Sequence, residues 1–167
     1  ESNGVLLSWA GCWSFTIFLF SKHRSSGPRD KLPHGKPLDT TDMKYSIIVP
    51  VYNRPDEVDE LLASLVGQTE KDFEVVIVED GSSKPCKEVC DRYSGTLDLH
   101  YYMKPNGGPG QSRNYGVERA KGDYVLILDS DVVLPPGYIS SVSEELQREP
   151  ADAFGGPDCA HPSFTDT

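Results

Sequence analysis

Short runs of apolar and β-branched residues recur along the chain, and each is followed by a segment of helical character. Such runs are typical of strands covered on both faces, as in a parallel sheet flanked by helices. The predicted strands are residues 45–51, 73–78, 97–103 and 123–128, and a fifth begins within residues 151–156. The alternation of strands with helices therefore predicts an α/β fold with a mostly parallel sheet.

The segments between these runs carry helix signals. Pro55 and Asp56 open the first helix, because Pro suits the first helical turn and an acidic side chain suits the positive end of the helix dipole. Leucines then recur at helical spacing, and Gly67 closes the helix. Further helices are predicted through residues 88–92, from Gln111 or Ser112 to about residue 120, and from residues 135–137 to Leu146.

The first 42 residues differ in composition from the rest of the chain. No residue from Ser2 to Ser21 is charged, and this length is close to the ~20 residues that a membrane-spanning helix needs. Lys22, His23 and Arg24 follow directly. Positive charge after a span favours a main domain that is cytoplasmic and held at the inner face of the membrane.

A second interpretation of this region stays open. Residues 22–42 are rich in Ser, Pro, Gly, Lys and Asp and have the composition of a linker. Met43 stands just before the first predicted strand, where a native start would fit. The first 42 residues are therefore either a membrane anchor with its linker or a non-native leader.

The net charge of the chain is -10. Nucleic-acid binding needs clustered Lys and Arg to neutralise phosphates, so we expect no nucleic-acid partner. A phosphate-bearing small ligand is still compatible with this charge, since carboxylates reach phosphates through a divalent metal ion.

Polar side chains collect where the predicted strands end. In an open parallel sheet, ligands bind outside the carboxyl ends of the strands. The groups that follow the four strands are Tyr52, Asn53 and Arg54, then Glu79 and Asp80, then the glycine-rich loop 105–110, then Asp129 and Asp131. Their convergence on one edge of the sheet predicts a single ligand site.

Asp129 and Asp131 end the fourth strand as two carboxylates separated by one residue. Hard divalent ions such as Mn²⁺ and Mg²⁺ prefer oxygen ligands and commonly use one or two carboxylates together with substrate phosphates. Aspartate is also common in solvated turns. The position at the end of a buried strand favours a metal site over a plain turn.

Asp80 and the loop after the third strand add nucleotide-like chemistry. A carboxylate at a strand end can accept a base N–H or a ribose hydroxyl. The alternative is an Asx-turn through Gly81 and Ser82, and Asp80 could serve both purposes. Glycines such as Gly108 let backbone approach a ligand closely, and the start of the following helix favours phosphate. Arg113 is predicted either to hold base or phosphate or to pair with Asp80 or Asp129.

Four segments, taken in order, resemble the family 2 glycosyltransferases. They are residues 46–53 (SIIVPVYN), 78–82 (VEDGS), 106–116 (NGGPGQSRNYG) and 122–131 (GDYVLILDSD). Their order and spacing match the N-terminal, donor-binding part of that family, from Met43 to about Gly156. The combined pattern is specific for the family and says little about the sugar.

The resemblance implies a GT-A fold with a Rossmann-like nucleotide-binding half. It also implies transfer of a sugar, with inversion, from a UDP-sugar or another nucleotide-diphospho-sugar. The acceptor would be a saccharide or a lipid-linked molecule, as in the synthesis of cell-envelope polysaccharides. On this basis residues 1–42 form an extension, and residues 43–167 form a nucleotide-sugar-binding domain that we expect to be incomplete at its C-terminus.

The resemblance also implies roles for individual positions. Pro50, Tyr52 and Asn53 would flank the nucleoside, Asp80 would contact base or ribose, and Gly108, Arg113 and Ser130 would belong to the nucleotide-sugar site. Asp129 would face ribose or sugar, and Asp131 would bind Mn²⁺ or Mg²⁺, with Asp129 beside it.

The catalytic base of the family is a carboxylate in the second half of the domain. Asp158 and Asp166 are present but match no motif for it. We therefore expect the base beyond Thr167, and donor binding without efficient transfer from this chain.

Two other functions are compatible with the sequence. The first is a sugar-nucleotide nucleotidyltransferase, although such enzymes carry a glycine-rich basic loop after the first strand and residues 52–55 contain no glycine. The second is a sugar-nucleotide-binding module that retains the fold without turnover.

Overall fold

The computed structural model describes residues 18–21, 44–148 and 153–155 of the 167-residue chain. The predicted boundary between an extension and a main domain, and most of the uncharged stretch before Lys22, lie outside these residues. Within the described ranges, no helix has the length and apolar character needed to cross a membrane.

From residue 45 onward, strands and helices alternate as the sequence predicts. The strands are β1 (Phe18–Ser21), β2 (Tyr45–Val51), β3 (Phe73–Asp80), β4 (Asp98–Lys104), β5 (Tyr124–Ile127) and β6 (Ala153–Gly155). The helices are α1 (Pro55–Val66), α2 (Lys87–Tyr93), α3 (Pro109–Arg119) and α4 (Tyr138–Arg148).

These strands form one sheet in the order β4-β3-β2-β5-β1-β6. Strands β4, β3, β2 and β5 are mutually parallel, which confirms the predicted mostly parallel sheet. Strand β1 pairs antiparallel with both β5 and β6. Parallel pairing brings the carboxyl ends of β2, β3, β4 and β5 to the same edge of the sheet.

Strand β1 is a structural element that the sequence pattern did not predict. It occupies the last four residues of the uncharged stretch, where Phe18 pairs with Ile127 and Ser21 with Tyr124. An apolar run of this kind has no periodicity that separates a strand from a helix, so its pairing with β5 decides its conformation.

The two faces of the sheet are covered differently. One face carries Ile47, Val49 and Ile77, which pack with the buried side chains of α1, α2 and α4. The opposite face carries Ile48 and Val78, which pack with the residues around α3. Successive side chains along a strand point to opposite faces of the sheet. The position of a polar residue at a strand end therefore decides on which of these two faces it lies.

Helix α3 lies very close to the sheet at Gly116. A Cβ atom added there would lie 2.3 Å from Ile48 Cγ2 and 3.3 Å from Val78 Cγ2. The absence of a side chain at Gly116 therefore sets how closely α3, and the loop in front of it, approach the ends of β2 and β3.

Candidate functional site

A cleft of about 460 Å³ opens at the carboxyl edge of the parallel strands. Its lining comes from the ends of β2 and β3, from the loops after β2, β4 and β5, and from the start of α3. The lining residues are Pro50, Val51, Tyr52, Arg54, Asp80, Asn106, Gly108, Pro109, Arg113, Asp129, Ser130 and Asp131. The predicted convergence of the strand ends on one site is thus observed.

Asp80 is the most enclosed carboxylate of the cleft, with 4% of its surface exposed. Its Oδ1 accepts a hydrogen bond from Gly107 N at 2.9 Å, and its Oδ2 accepts one from Gly108 N at 2.8 Å. The Lys104 ammonium group also donates to Oδ1. The glycine-rich loop is therefore folded around this carboxylate.

These contacts decide the charge of Asp80. Burial by itself raises the pKa of a carboxyl group. The hydrogen bonds from Lys104, Gly107 and Gly108 outweigh the burial, and the pKa of Asp80 lies below its ordinary value. Asp80 is therefore ionised near neutral pH, and it presents an acceptor to the cleft.

The sequence did not identify Lys104 as part of this site. It ends β4 directly beside Asp80, which ends β3, in the parallel register. The predicted strand stopped one residue earlier, at Met103. A lysine and an aspartate at neighbouring strand ends were the available signal, and only the register shows that they meet.

The glycine-rich loop begins its helix earlier than predicted. Helix α3 starts at Pro109, two residues before Gln111, because proline fits the first helical turn. Gly108 precedes it with φ of 85°, a conformation that favours glycine. This geometry turns the Gly108 N–H toward Asp80.

Each acidic residue of the Asp129–Asp131 pair is matched by an arginine. Arg113 Nη2 donates to Asp129 Oδ1 at 2.9 Å, and Arg54 Nη1 donates to Asp131 Oδ2 at 3.3 Å. The sequence left open whether Arg113 binds ligand or pairs with an aspartate. The structure shows the pair with Asp129 and keeps Arg113 in the cleft lining.

A second donor group of Arg113 is buried in the protein. Its Nε is buried and has no hydrogen-bond partner among the residues that the structure describes. Buried polar groups are nearly always hydrogen-bonded, so an unpaired guanidinium N–H in a cleft lining marks a place for an acceptor from a ligand or water.

Asn53 has a different place from the one predicted for it. Its Oδ1 accepts hydrogen bonds from Ser83 Oγ at 3.1 Å and Lys84 N at 2.9 Å, and its own N–H donates to Ser82 Oγ at 2.8 Å. It is absent from the cleft lining. Its φ of 55° is one that Asn tolerates better than most residues.

Glu79 likewise binds the segment that follows β3 and does not line the cleft. It is fully buried and accepts hydrogen bonds from Cys86 N at 2.8 Å, from Tyr101 Oη at 3.3 Å and from Ser82 Oγ. Glu79 and Asp80 are neighbours on β3 and so point to opposite faces. Only Asp80 reaches the cleft.

The donor set of Asp129 and Asp131 fits a hard divalent cation such as Mn²⁺ or Mg²⁺. Both carboxylates line the cleft, and both are at least one-third exposed. Such ions take oxygen ligands and keep positions for water or phosphate. Since both carboxylates are held by arginines, a cation would compete with Arg54 and Arg113.

Sequence and structure comparisons point to one family. Residues 46–159 match the model of Glycosyl transferase family 2. Glycosyltransferase GlyG of Streptococcus pneumoniae is 32% identical over 115 residues, which is 66% of this chain and 38% of GlyG. The poly(ribitol-phosphate) beta-N-acetylglucosaminyltransferase TarS of Staphylococcus aureus is 41% identical over 93 residues, or 53% of this chain and 16% of TarS.

Solved structures show the same similarity. Residues 1–349 of S. aureus TarS in complex with UDP-GlcNAc align with a TM-score of 0.60 and 34% identity, over 64% of this chain and 32% of that one. The mannosyltransferase PcManGT from Pyrobaculum calidifontis, in complex with GDP-Man and Mn²⁺, aligns with a TM-score of 0.57 and 25% identity, over 73% and 35%. The chain spans well under half the length of the curated relatives it matches.

Proposed function

The chain belongs to glycosyl transferase family 2, and we propose that it holds the nucleotide-sugar donor of a metal-assisted, inverting glycosyltransferase. Its fold is the N-terminal part of the GT-A fold. The observation that carries the proposal is the cleft itself. Acceptor groups at Asp80, cationic groups at Arg113 and a pair of metal-type carboxylates at Asp129 and Asp131 share one lining.

The Asp80 end of the cleft suits the base of the nucleotide. A carboxylate has about four acceptor positions, and Asp80 already receives three N–H bonds from Lys104, Gly107 and Gly108. One acceptor position is left for the ligand. Uracil offers a single ring N–H, whereas guanine offers two adjacent donors, so this geometry favours a UDP-sugar. The half-exposed ring of Tyr52 provides a flanking surface.

The Asp129–Asp131 end suits the diphosphate and the sugar. A divalent cation held there would offset the charge that develops on the departing nucleoside diphosphate. The arginines that now neutralise these carboxylates are placed to turn to phosphate oxygens, since guanidinium groups bind phosphate well. The free Nε of Arg113 supports this exchange of partners.

Completion of the reaction requires a base and an acceptor. The carboxylates that line the cleft among the described residues are assigned to the donor, so we propose that the base lies outside them. We also propose a saccharide or lipid-linked acceptor. The TarS relative, by its name, acts on poly(ribitol-phosphate).

Calorimetry with UDP and Mn²⁺ tests the proposal. The wild-type protein should bind UDP in a Mn²⁺-dependent way. Asp131→Ala should weaken that binding at least about tenfold, since a ligand of the metal is lost. Glu118→Ala is the matched control, because Glu118 is an exposed acid on α3 away from the cleft lining. Absence of UDP binding in the wild-type protein and in both variants would contradict the proposal.

A product assay separates the enzyme classes that the sequence left open. A glycosyltransferase releases nucleoside diphosphate from the donor, whereas a nucleotidyltransferase releases or consumes pyrophosphate. Release of UDP from a UDP-sugar supports the proposal. Pyrophosphate exchange would contradict it.

A further inference from the structure

A second polar cluster lies at the opposite edge of the sheet. Glu74 is the second residue of β3, six positions before Asp80. At a rise of ~3.3 Å per residue these two positions lie roughly 20 Å apart. The cluster of Glu74, Asp98 and His100 is therefore separate from the donor cleft.

Glu74 is fully buried, and its two carboxylate oxygens differ in their hydrogen-bond partners. Oε1 accepts hydrogen bonds from Ser46 Oγ at 2.6 Å and from Lys121 N. Oε2 has no hydrogen-bond partner within the described part of the chain. Burial of a carboxylate oxygen without a hydrogen-bond donor is energetically unfavourable, so a cation beside this oxygen would stabilise it.

The neighbours of Glu74 Oε2 are metal-type ligands. His100 Nε2 lies 3.3 Å from it, and the same nitrogen lies 3.2 Å from Asp98 Oδ1. The ligand atoms of all three residues lie within 4.8 Å of one another. Oxygen and imidazole ligands at ~2.0–2.1 Å from a tetrahedral Zn²⁺ are separated by roughly 3.3 Å. Both distances from His100 Nε2 to the carboxylate oxygens agree with that spacing.

We propose that Glu74, Asp98 and His100 form a binding site for a divalent transition-metal ion, with Zn²⁺ the best fit. The set provides two carboxylate oxygens and one imidazole nitrogen, a combination that Zn²⁺ accepts. Water would complete the tetrahedron. The ion would join the amino ends of β3 and β4 and place a divalent cation beside Glu74 Oε2.

Two lysines contact the proposed ligands and would compete with the ion for them. Lys44 Nζ contacts Asp98 through Oδ2 at 3.2 Å, which leaves Oδ1 for the ion. Lys121 Nζ lies 3.5 Å from His100 Nε2, so it must withdraw when the ion binds. Lys121 is exposed and can do so. Its removal should therefore favour the metal.

Zn²⁺ titration of the full chain tests the site. The background carries Asp129→Asn and Asp131→Asn, so that the cleft carboxylates cannot contribute. This protein should bind one equivalent of Zn²⁺ and gain thermal stability. His100→Gln and Asp98→Asn, both at partly exposed positions, should each weaken binding at least about tenfold. Lys121→Gln should strengthen it.

Asp72→Asn is the matched control, since Asp72 is an exposed acid at the same edge of the sheet. It should leave Zn²⁺ affinity unchanged. The proposal is overturned if the background protein binds no Zn²⁺. It is equally overturned if binding survives both His100→Gln and Asp98→Asn. Neither outcome bears on donor binding, which is measured with the cleft intact.

Discussion

Lys104 and Asp80 end neighbouring parallel strands in register, and the lysine ammonium group donates to Asp80 Oδ1. Both side chains are nearly buried, with 11% and 5% of their surfaces exposed. Asp80 is thereby fixed in position and charge before any ligand arrives. This pair makes the end of β3 a preformed acceptor in the cleft, at the position that we propose for the nucleotide base.

Lys104→Met should destabilise the protein by about 3 kcal/mol, because removal of one partner leaves a buried charge uncompensated. Lys87→Met is the matched control. Lys87 pairs with Asp91 on the exposed surface of α2, and such pairs contribute about 0–1 kcal/mol. Urea unfolding of the two variants measures the difference. Equal losses would show that the Lys104–Asp80 pair contributes no more than a surface contact.

The same pair predicts a dependence of stability on pH. The pKa of Asp80 is lower in the folded protein than its ordinary value of 3.8. Its contribution to the free energy of unfolding is therefore present above about pH 4 and is lost as the pH falls through the folded-state pKa. Asp80→Asn should be less stable than wild type near pH 7, and the gap should narrow below pH 4. A gap that stays constant or widens in acid would contradict the assignment.

Gly116→Ala should destabilise the protein by about 1–3 kcal/mol, since the added methyl would overlap Ile48 Cγ2 and force α3 away from the sheet. Gly110→Ala is the matched control in the same helix. It meets no atom within 4 Å, so its effect should be neutral or slightly stabilising. Thermal unfolding of both variants checks the prediction, and similar melting temperatures would refute the close packing at Gly116.

Arg54→Gln should act in opposite directions on the metal and on the donor. The arginine competes with a cation for Asp131, so its loss should strengthen binding of Mn²⁺ alone. The pair is half exposed and contributes about 1 kcal/mol or less, which limits the gain to roughly fivefold. Binding of UDP with Mn²⁺ should weaken, because a phosphate partner is lost. Calorimetry measures both affinities. A change in the same direction for Mn²⁺ and for UDP would argue against an exchange of Arg54 between Asp131 and phosphate.

Much of the fold and site follows from the sequence pattern. The runs at residues 45–51 and 73–78 identify central strands because they are apolar on both faces, and the strand ends then place Asp80, Asp129 and Asp131 at one edge. Eight of the nine residues predicted for the nucleotide-sugar and metal sites line the cleft, and Asn53 is the exception.

The remainder depends on contacts that no local pattern encodes. Lys104 joins the site only because the register of β4 brings it beside Asp80. Asn53 leaves the lining because its amide oxygen is held by Ser83 and Lys84, thirty residues away along the chain. Strand β1 is defined by pairing with β5 over a separation of about one hundred residues.

Amide chemical-shift mapping with UDP and Mg²⁺ locates the bound nucleotide on the protein and so tests whether the cleft is the donor site. We expect saturable shifts at Gly107 and Gly108, which donate to Asp80, and at Ser130 between the two metal-type carboxylates. Residues around His100 at the opposite edge should not shift. Shifts confined to that opposite edge, or no saturable shifts at all, would contradict the assignment of the cleft as the donor site.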